Sequence, residues 1–289
     1  MTLKMAGIRI RIDFFFIFIL VSAALAGFLN DVLSLALALG FHEMGHLLSA
    51  RELGLKVDEL ELLPFGGRIK IKSFDEALPE HQILTALAGP MFNFAASVLL
   101  FYLISQKILS GQIGNTMINY QLILGFFNLV PALPLDGGRI FVVWLRRYLN
   151  YLSAIRIACR VSKIISMLLV VAAVVQGVFL KRFLLNFVIA GIFLFAHALK
   201  EENEAPAAFI KQVAKKRESL LKKGCLPIES AVATGGASVR DVLYMFTPHR
   251  YFLLFVVDDQ MHIKKYLTET EIFNKILQQG LDIKVDDLI

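Results

Sequence analysis

Three ionisable side chains stand inside a run of the chain that is otherwise apolar: the segment His42-Glu43-Met44-Gly45-His46 lies within residues 31–50. An apolar stretch of about 20 residues is what a bilayer-crossing helix needs. Charged groups at that depth are costly unless they have a partner or a task. On a helix, residues four apart share a face, so His42 and His46 point the same way and can grip one metal ion. Glu43 is one residue round from His42, where it can reach a water on that ion as general base. A charged kink in a buried helix is the bland alternative, and it gives three such groups no reason to be there.

The rest of the composition agrees with a membrane setting. Of 289 residues, 57% are hydrophobic and 19% charged, with a mean hydropathy of +0.65. Soluble domains carry about a quarter charged residues. The expectation is a polytopic α-helical membrane protein. Cys159 and Cys225 stand far apart, with no CxxC spacing and no disulfide framework, which suits a reducing compartment. The net charge of +6 needs no nucleic acid, because basic residues flanking membrane spans account for it. Interleaved aromatic and basic residues, the mark of a nucleic-acid groove, are not seen.

Six apolar segments can be traced: 14–29, 31–50, 83–104, 120–145, 164–179 and 183–199. The first follows Lys4, Arg9 and Arg11; Ala24-Leu25-Ala26 within it also resembles a signal-peptidase site, so a cleaved leader is the alternative to a retained span. Cationic residues gather before the first span and in the second–third and fourth–fifth connections. By the positive-inside rule both termini are then cytosolic, with Lys181 and Arg182 the one exception. Residues 60–71 read LELLPFGGRIKI, two strand-like runs around Pro64-Phe65-Gly66-Gly67, which predicts a membrane-associated β-hairpin. Such a hairpin could offer an edge strand to an extended substrate, or could be a plain loop.

The chain therefore divides into a membrane domain over 1–200, a charged, Ala-rich helical linker over 201–221, and a small cytosolic α/β domain over 222–289. In the last of these, 239–246 and 269–279 read as helices, and 251–258 and 261–267 as strands around an Asp258-Asp259-Gln260 turn.

A catalytic zinc usually has three protein ligands and a water, and His, His and carboxylate is one standard set. The third ligand is sought in the fourth span. It is apolar to Phe127 and then reads Asn128-Leu-Val-Pro131-Ala-Leu-Pro134-Leu-Asp136-Gly137-Gly138-Arg139. Two prolines and two glycines break that helix, and broken backbone at membrane depth is tolerated only where it lines a covered or watery cavity. The second and fourth spans run in the same direction. His46 and Asp136 lie about 15 and about 16 residues past their starts, which at ~1.5 Å per residue is similar depth. Asp136 is the leading third ligand; a Glu in another span is the alternative. His81, His197, His249 and His262, and the loop acids Glu52 and Asp58, are weaker candidates. Asn128, about two turns before Asp136, could donate to an oxyanion or hold the substrate backbone, or could equally bond a neighbouring helix. Pro134 is grouped with it as a substrate-binding candidate.

HEMGH at 42–46 together with NLVPALPLDGG at 128–138 resembles the site-2 protease family of intramembrane zinc metalloproteases, peptidase family M50. Pro64-Phe65-Gly66-Gly67 and Ala88-Gly89-Pro90 with Asn93 are similar to further family features, so the resemblance spans roughly 1–200. It implies His42, His46 and Asp136 as ligands of one Zn2+ per chain, Glu43 as catalytic base, and regulated intramembrane proteolysis of a membrane-associated protein near the cytosolic face. The short tail and the span number resemble the stage IV sporulation branch, implying a pro-sigma factor substrate, membrane inhibitor proteins as partners, and the mother-cell membrane around a forespore as location. An anti-sigma factor or other single-span protein is the alternative substrate; a metal-binding scaffold or transporter is the non-proteolytic alternative, against which an intact Glu43 argues. The tail is similar to a single CBS module. Lys265-Tyr-Leu-Thr268-Glu-Thr-Glu271 resembles the stretch that holds a nucleotide's ribose and phosphate, with Glu271 where Asp is usual. That implies ATP or another adenine nucleotide at Thr268 and Glu271, and a homo-oligomer through paired modules.

Overall fold

A computed structural model describes residues 2–5, 8–12, 14–63, 66–71, 74, 77–149, 151–181, 185–246, 250–279 and 283–288. The chain forms two compact units, residues 1–143 with 161–195 and residues 144–160 with 196–289.

The first unit is mainly helical: α1 (Phe14–Leu25), α2 (Leu29–Glu52), α3 (Pro79–Ser105), α4 (Gly111–Asn128) and most of α5 (Asp136–Leu145). The long helices α6 (Tyr151–Leu180) and α7 (Leu185–Lys223) contribute to both units. Leu and Ala supply the helix propensity of α2. The helix stops where Gly54 takes a φ of +71°; its N–H bonds the Arg51 carbonyl, and that of Leu55 bonds Ala50, closing the last turn as glycine allows. Pro79 opens α3 at a position that needs no N–H donor.

Among the described residues, three helices are long and apolar enough to cross a membrane, Leu29–Glu52, Pro79–Ser105 and Tyr151–Phe179. Three such helices mark a mainly helical membrane protein, and the other apolar segments take different forms, the break expected in 120–145 among them. α1 has 12 residues, ~18 Å of helix. The segment 120–145 is two helices with a break, and 183–199 feeds a 39-residue helix that continues into charged sequence.

The hairpin expected at 60–71 is present as β3 (Val57–Leu63) and β4 (Gly66–Ile71), antiparallel; Pro64 and Phe65 of its turn lie outside the described residues. It belongs to a larger sheet. β2 (Ile8–Ile12) runs parallel to β3, and β1 (Thr2–Met5) pairs with β2, in the order β1-β2-β3-β4. The expectation of a plain basic flank missed these strands, although Ile8-Arg9-Ile10-Arg11-Ile12 alternates with period two. The register sets Arg9 and Arg11 beside Glu59 and Glu61, which sit beside Lys70 and Arg68. Opposite charges in neighbouring strand positions favour that register, and Arg11 reaches Glu61 at 3.6 Å.

In the second unit β5 (Ile228–Thr234) and β6 (Tyr251–Val257) are parallel, and β7 (Ile263–Thr268) is antiparallel to β6. With α8 (Val239–Tyr244) and α9 (Glu269–Gln279) they enclose a core containing Val242, Leu254, Val256, Leu267 and Ile272. β6 alternates half-buried and buried positions along most of its length, the sign of one face on the core. The two helices and two strands fall close to where periodicity placed them, and β5 is an addition. Phe209, inside the range read as a linker, packs into this core, and its ring stacks on Tyr151 at 5.9 Å. The tail is thus a small α/β unit, as its periodicity predicts.

Candidate metal centre

α2 carries His42 and His46 one turn apart, and α5 begins with Asp136. All three side chains are buried, and one donor atom from each lies within 4.8 Å of the others. Asp136 Oδ2 is 3.1 Å from Nε2 of His42 and 3.1 Å from Nε2 of His46, and the two Nε2 atoms are 3.1 Å apart. Among the described residues this is the one group of three or more His, Cys, Asp or Glu side chains placed to share an ion. Glu52 is exposed, and so are Asp58 and His262; His249 lies outside the described residues.

The hydrogen bonds behind the rings decide which nitrogen is free. His46 Nδ1 donates to the Thr85 carbonyl at 2.7 Å, and His42 Nδ1 donates to Asn93 Oδ1 at 2.6 Å. Both partners stand on α3. With the proton on Nδ1, each ring turns an Nε2 lone pair toward Asp136, the arrangement that orients histidine ligands around a metal. Two imidazole nitrogens and a carboxylate oxygen converging in this way fit a zinc ion.

Space at the centre is bounded by glycine. A Cβ on Gly89 of α3 would stand 2.6 Å from His46 Cε1 and 2.9 Å from His42 Cε1, so α3 comes this near only without a side chain there. A Cβ on Gly67, at the start of β4, would collide with the Glu43 carboxyl group. Glu43 is itself buried, beside the histidines in sequence and against the sheet in space.

Asp136 reaches the histidines because the chain breaks after α4. Residues 129–135 form a tight non-helical passage in which Ala132, Leu133 and Leu135 are buried. Ala132 and Leu135 pack with Leu194, and Ile165, Leu169 and Phe193 lie against them. The Leu133 N–H donates to Ser162 Oγ at 2.8 Å, and that of Leu135 to the Ala132 carbonyl at 2.9 Å. The break is therefore covered by protein and supplied with partners, as the cost of bare backbone in lipid requires. A Cβ on Gly138 would meet the Ala132 carbonyl carbon at 2.5 Å, which accounts for the second glycine.

Asn128 is half-buried at the end of α4, and its amide donates to the Leu124 carbonyl of the same helix at 3.0 Å. Pro134 is half-buried in the break. In the tail, Thr268 and Glu271 bond each other: the Thr268 N–H and hydroxyl both donate to Glu271 Oε2 at 2.7 Å, and the Glu271 N–H donates to the Thr268 hydroxyl at 3.3 Å. This is a reciprocal cap on the first turn of α9.

Sequence reasoning missed the supporting residues. Asn93 belongs to the resemblance without a role of its own, and Thr85, Gln121 and Ser162 carry no motif; all four are buried. The available signal was polar side chains inside apolar helices, of which Gln121 and Asn93 are the clearest.

Comparison with known proteins agrees with this geometry. Residues 31–114 match the family described as Peptidase family M50. A zinc metalloprotease of Methanocaldococcus jannaschii is 26% identical over 267 residues, covering 89% of this chain and 74% of that protein. Stage IV sporulation protein FB of Bacillus subtilis is 25% identical, with 56% of each protein covered. Rip3, a putative zinc metalloprotease of Mycobacterium tuberculosis, is 30% identical over 56% of this chain and 43% of its own length. The solved structure of a site-2 protease from Methanocaldococcus jannaschii matches in fold, with a TM-score of 0.55 at 24% identity, over 70% of this chain and 94% of that one. Residues 31–114, which include HEMGH on the second helix, are thus similar to the Peptidase family M50 model, and the fold is similar to that of a solved site-2 protease.

Proposed function

We propose that this protein performs regulated intramembrane proteolysis, cutting a membrane-associated protein near the cytosolic face. The observation that carries the reading is the meeting of His42, His46 and Asp136 within the apolar unit, with Glu43 buried beside them. A zinc ion held by these three residues supplies Lewis acidity and a more acidic water. Glu43 takes the proton from the water that attacks the peptide carbonyl and returns it to the leaving nitrogen. Asn128, released from the Leu124 carbonyl, would donate to the carbonyl oxygen, with Pro134 bounding the substrate's path.

A substrate helix has its backbone bonded internally and is cut only where it unwinds. β4 supports a way of receiving the unwound segment. It is the last strand of its sheet, with no further strand on its outer edge among the described residues, and Gly67 at its start touches Glu43. An extended segment pairing with that edge would pass the catalytic carboxylate.

In this proposal the chain crosses the bilayer six times with both termini cytosolic, as its basic connections favour. The substrate is a pro-sigma factor of sporulation, processed in the mother-cell membrane around the forespore under control of membrane inhibitor proteins. Likeness to the sporulation protein supports this substrate. Pairing of tails between chains, with an adenine nucleotide bound there, belongs to the same proposal, although Thr268 and Glu271 are engaged with each other; titration of the full chain with ATP tests it.

The deciding experiment coexpresses the full chain with a membrane-tethered pro-sigma precursor and, separately, a single-span anti-sigma factor. Wild type should release the sigma factor, while Glu43→Gln should keep its zinc and lose about 10²- to 10⁴-fold in cleavage. Cleavage of the anti-sigma factor alone would move the substrate to that class. Equal processing by Glu43→Gln would end the proposal for Glu43.

A further inference from the structure

His46 and His42 are oriented by partners of different kinds. The Thr85 carbonyl can only accept, so the His46 Nδ1 proton is specified outright. Asn93 presents an amide, whose two ends have opposite character. Oxygen toward His42 holds the proton on Nδ1 and leaves Nε2 free for a metal. Nitrogen toward His42 would favour the other tautomer, whose Nε2 lone pair is occupied by a proton. Something must fix which end faces the ring.

We infer that Gln121 is a positioning residue of the metal centre, acting through Asn93 to fix the tautomer of His42. Asn93 Nδ2 donates to the Ala38 carbonyl at 3.0 Å and to Gln121 Oε1. Two acceptors therefore meet the nitrogen end of the amide, and only the oxygen end is left for His42 Nδ1. Turning the amide over would set oxygen against the Ala38 carbonyl oxygen and, with Gln121 placed as it is, against Gln121 Oε1 as well. Gln121 and Asn93 are both essentially inaccessible, at 1% and 0% exposure, so water offers no replacement. The chain of bonds also joins three helices, from Gln121 on α4 to Asn93 on α3 and His42 on α2. Gln121 does not touch the metal-binding atoms, and its position 28 residues beyond Asn93 carries no motif.

The inference rests on a metal at His42, His46 and Asp136, and the test separates the two claims. The full chain in detergent micelles is titrated with Co2+ against a chromophoric chelator, with the visible absorption of the bound ion recorded. Gln121→Leu, which removes the acceptor at similar volume, should weaken binding about tenfold, the lower end of what outer partners of ligands cost. Gln121→Glu, which keeps an acceptor oxygen there, should stay within about twofold of wild type. In an Asn93→Leu background the amide that links Gln121 to His42 is gone, so Gln121→Leu should have no further effect. Wild-type affinity in Gln121→Leu, an equal loss in Gln121→Glu, or the same loss repeated in the Asn93→Leu background would overturn the inference and leave Gln121 a packing residue. If wild type itself binds no Co2+, the metal centre fails first.

Discussion

The two sides of the metal centre are built in opposite ways. α2 delivers His42 and His46 from an unbroken helix, where backbone bonds are internal and the i, i+4 spacing alone aligns the side chains. Asp136 comes from a chain that has stopped being helical. Its position depends on how residues 129–135 are packed and bonded by α6 and α7, through Ser162, Ile165, Leu169, Phe193 and Leu194. A helix positions a ligand by local geometry, whereas a break positions one by its surroundings. The backbone of His42 and His46 should therefore hold its place when neighbouring helices change, with only the ring orientation depending on α3, whereas the whole placement of Asp136 depends on its surroundings.

The largest expected effect tests whether both sides are needed. Asp136→Ala and His46→Ala should each lose zinc by about 100-fold or more in affinity, since each removes one of three protein ligands. Zinc content after chelator treatment reads this directly, and an Asp136→Ala protein that retains full zinc would assign the third ligand elsewhere. Next comes space on the helical side. Gly89→Ala should reduce metal affinity at least about tenfold, because its methyl group meets both histidine rings. Gly40→Ala on α2, with nothing within 4 Å of the added carbon, should leave metal binding unchanged and strengthen the helix by about 0.5–1 kcal/mol. Parallel metal titrations and melting curves separate the two, and equal damage from both would mean that helix distortion, not crowding, is at work.

The smallest effect concerns the bonds themselves. Ser162→Ala leaves the buried Leu133 N–H without its partner and should cost about 1–3 kcal/mol in unfolding by SDS titration. Ser97→Ala on α3 removes only a hydroxyl bonded back to the Asn93 carbonyl four residues earlier, and should shift unfolding by no more than about 0.5 kcal/mol. Similar losses for the two serines would erase the distinction between break and helix.

The parts of this picture legible in the chain were those governed by short-range periodicity. HEMGH on a helix, the broken LPLDGG segment, and the strands and helices of the tail all express spacing of two, three or four residues. What the chain did not display were partners brought together across many residues. Ile8-Arg9-Ile10-Arg11-Ile12 looked like a basic flank because its pairing strand begins at Val57. Thr268 and Glu271 suggested a ligand by resemblance, and their three-residue spacing also forms a helix cap.

By itself the sequence determined the candidate ligand types, a candidate general base and a membrane setting, because imidazoles and a carboxylate set among leucines have few other physical justifications. Tertiary structure decided which nitrogen of each imidazole is free, how near α3 approaches, and where a fractured segment carries Asp136. Those outcomes depend on buried hydrogen bonds and close packing between elements distant in the chain, and neither leaves a period in the sequence.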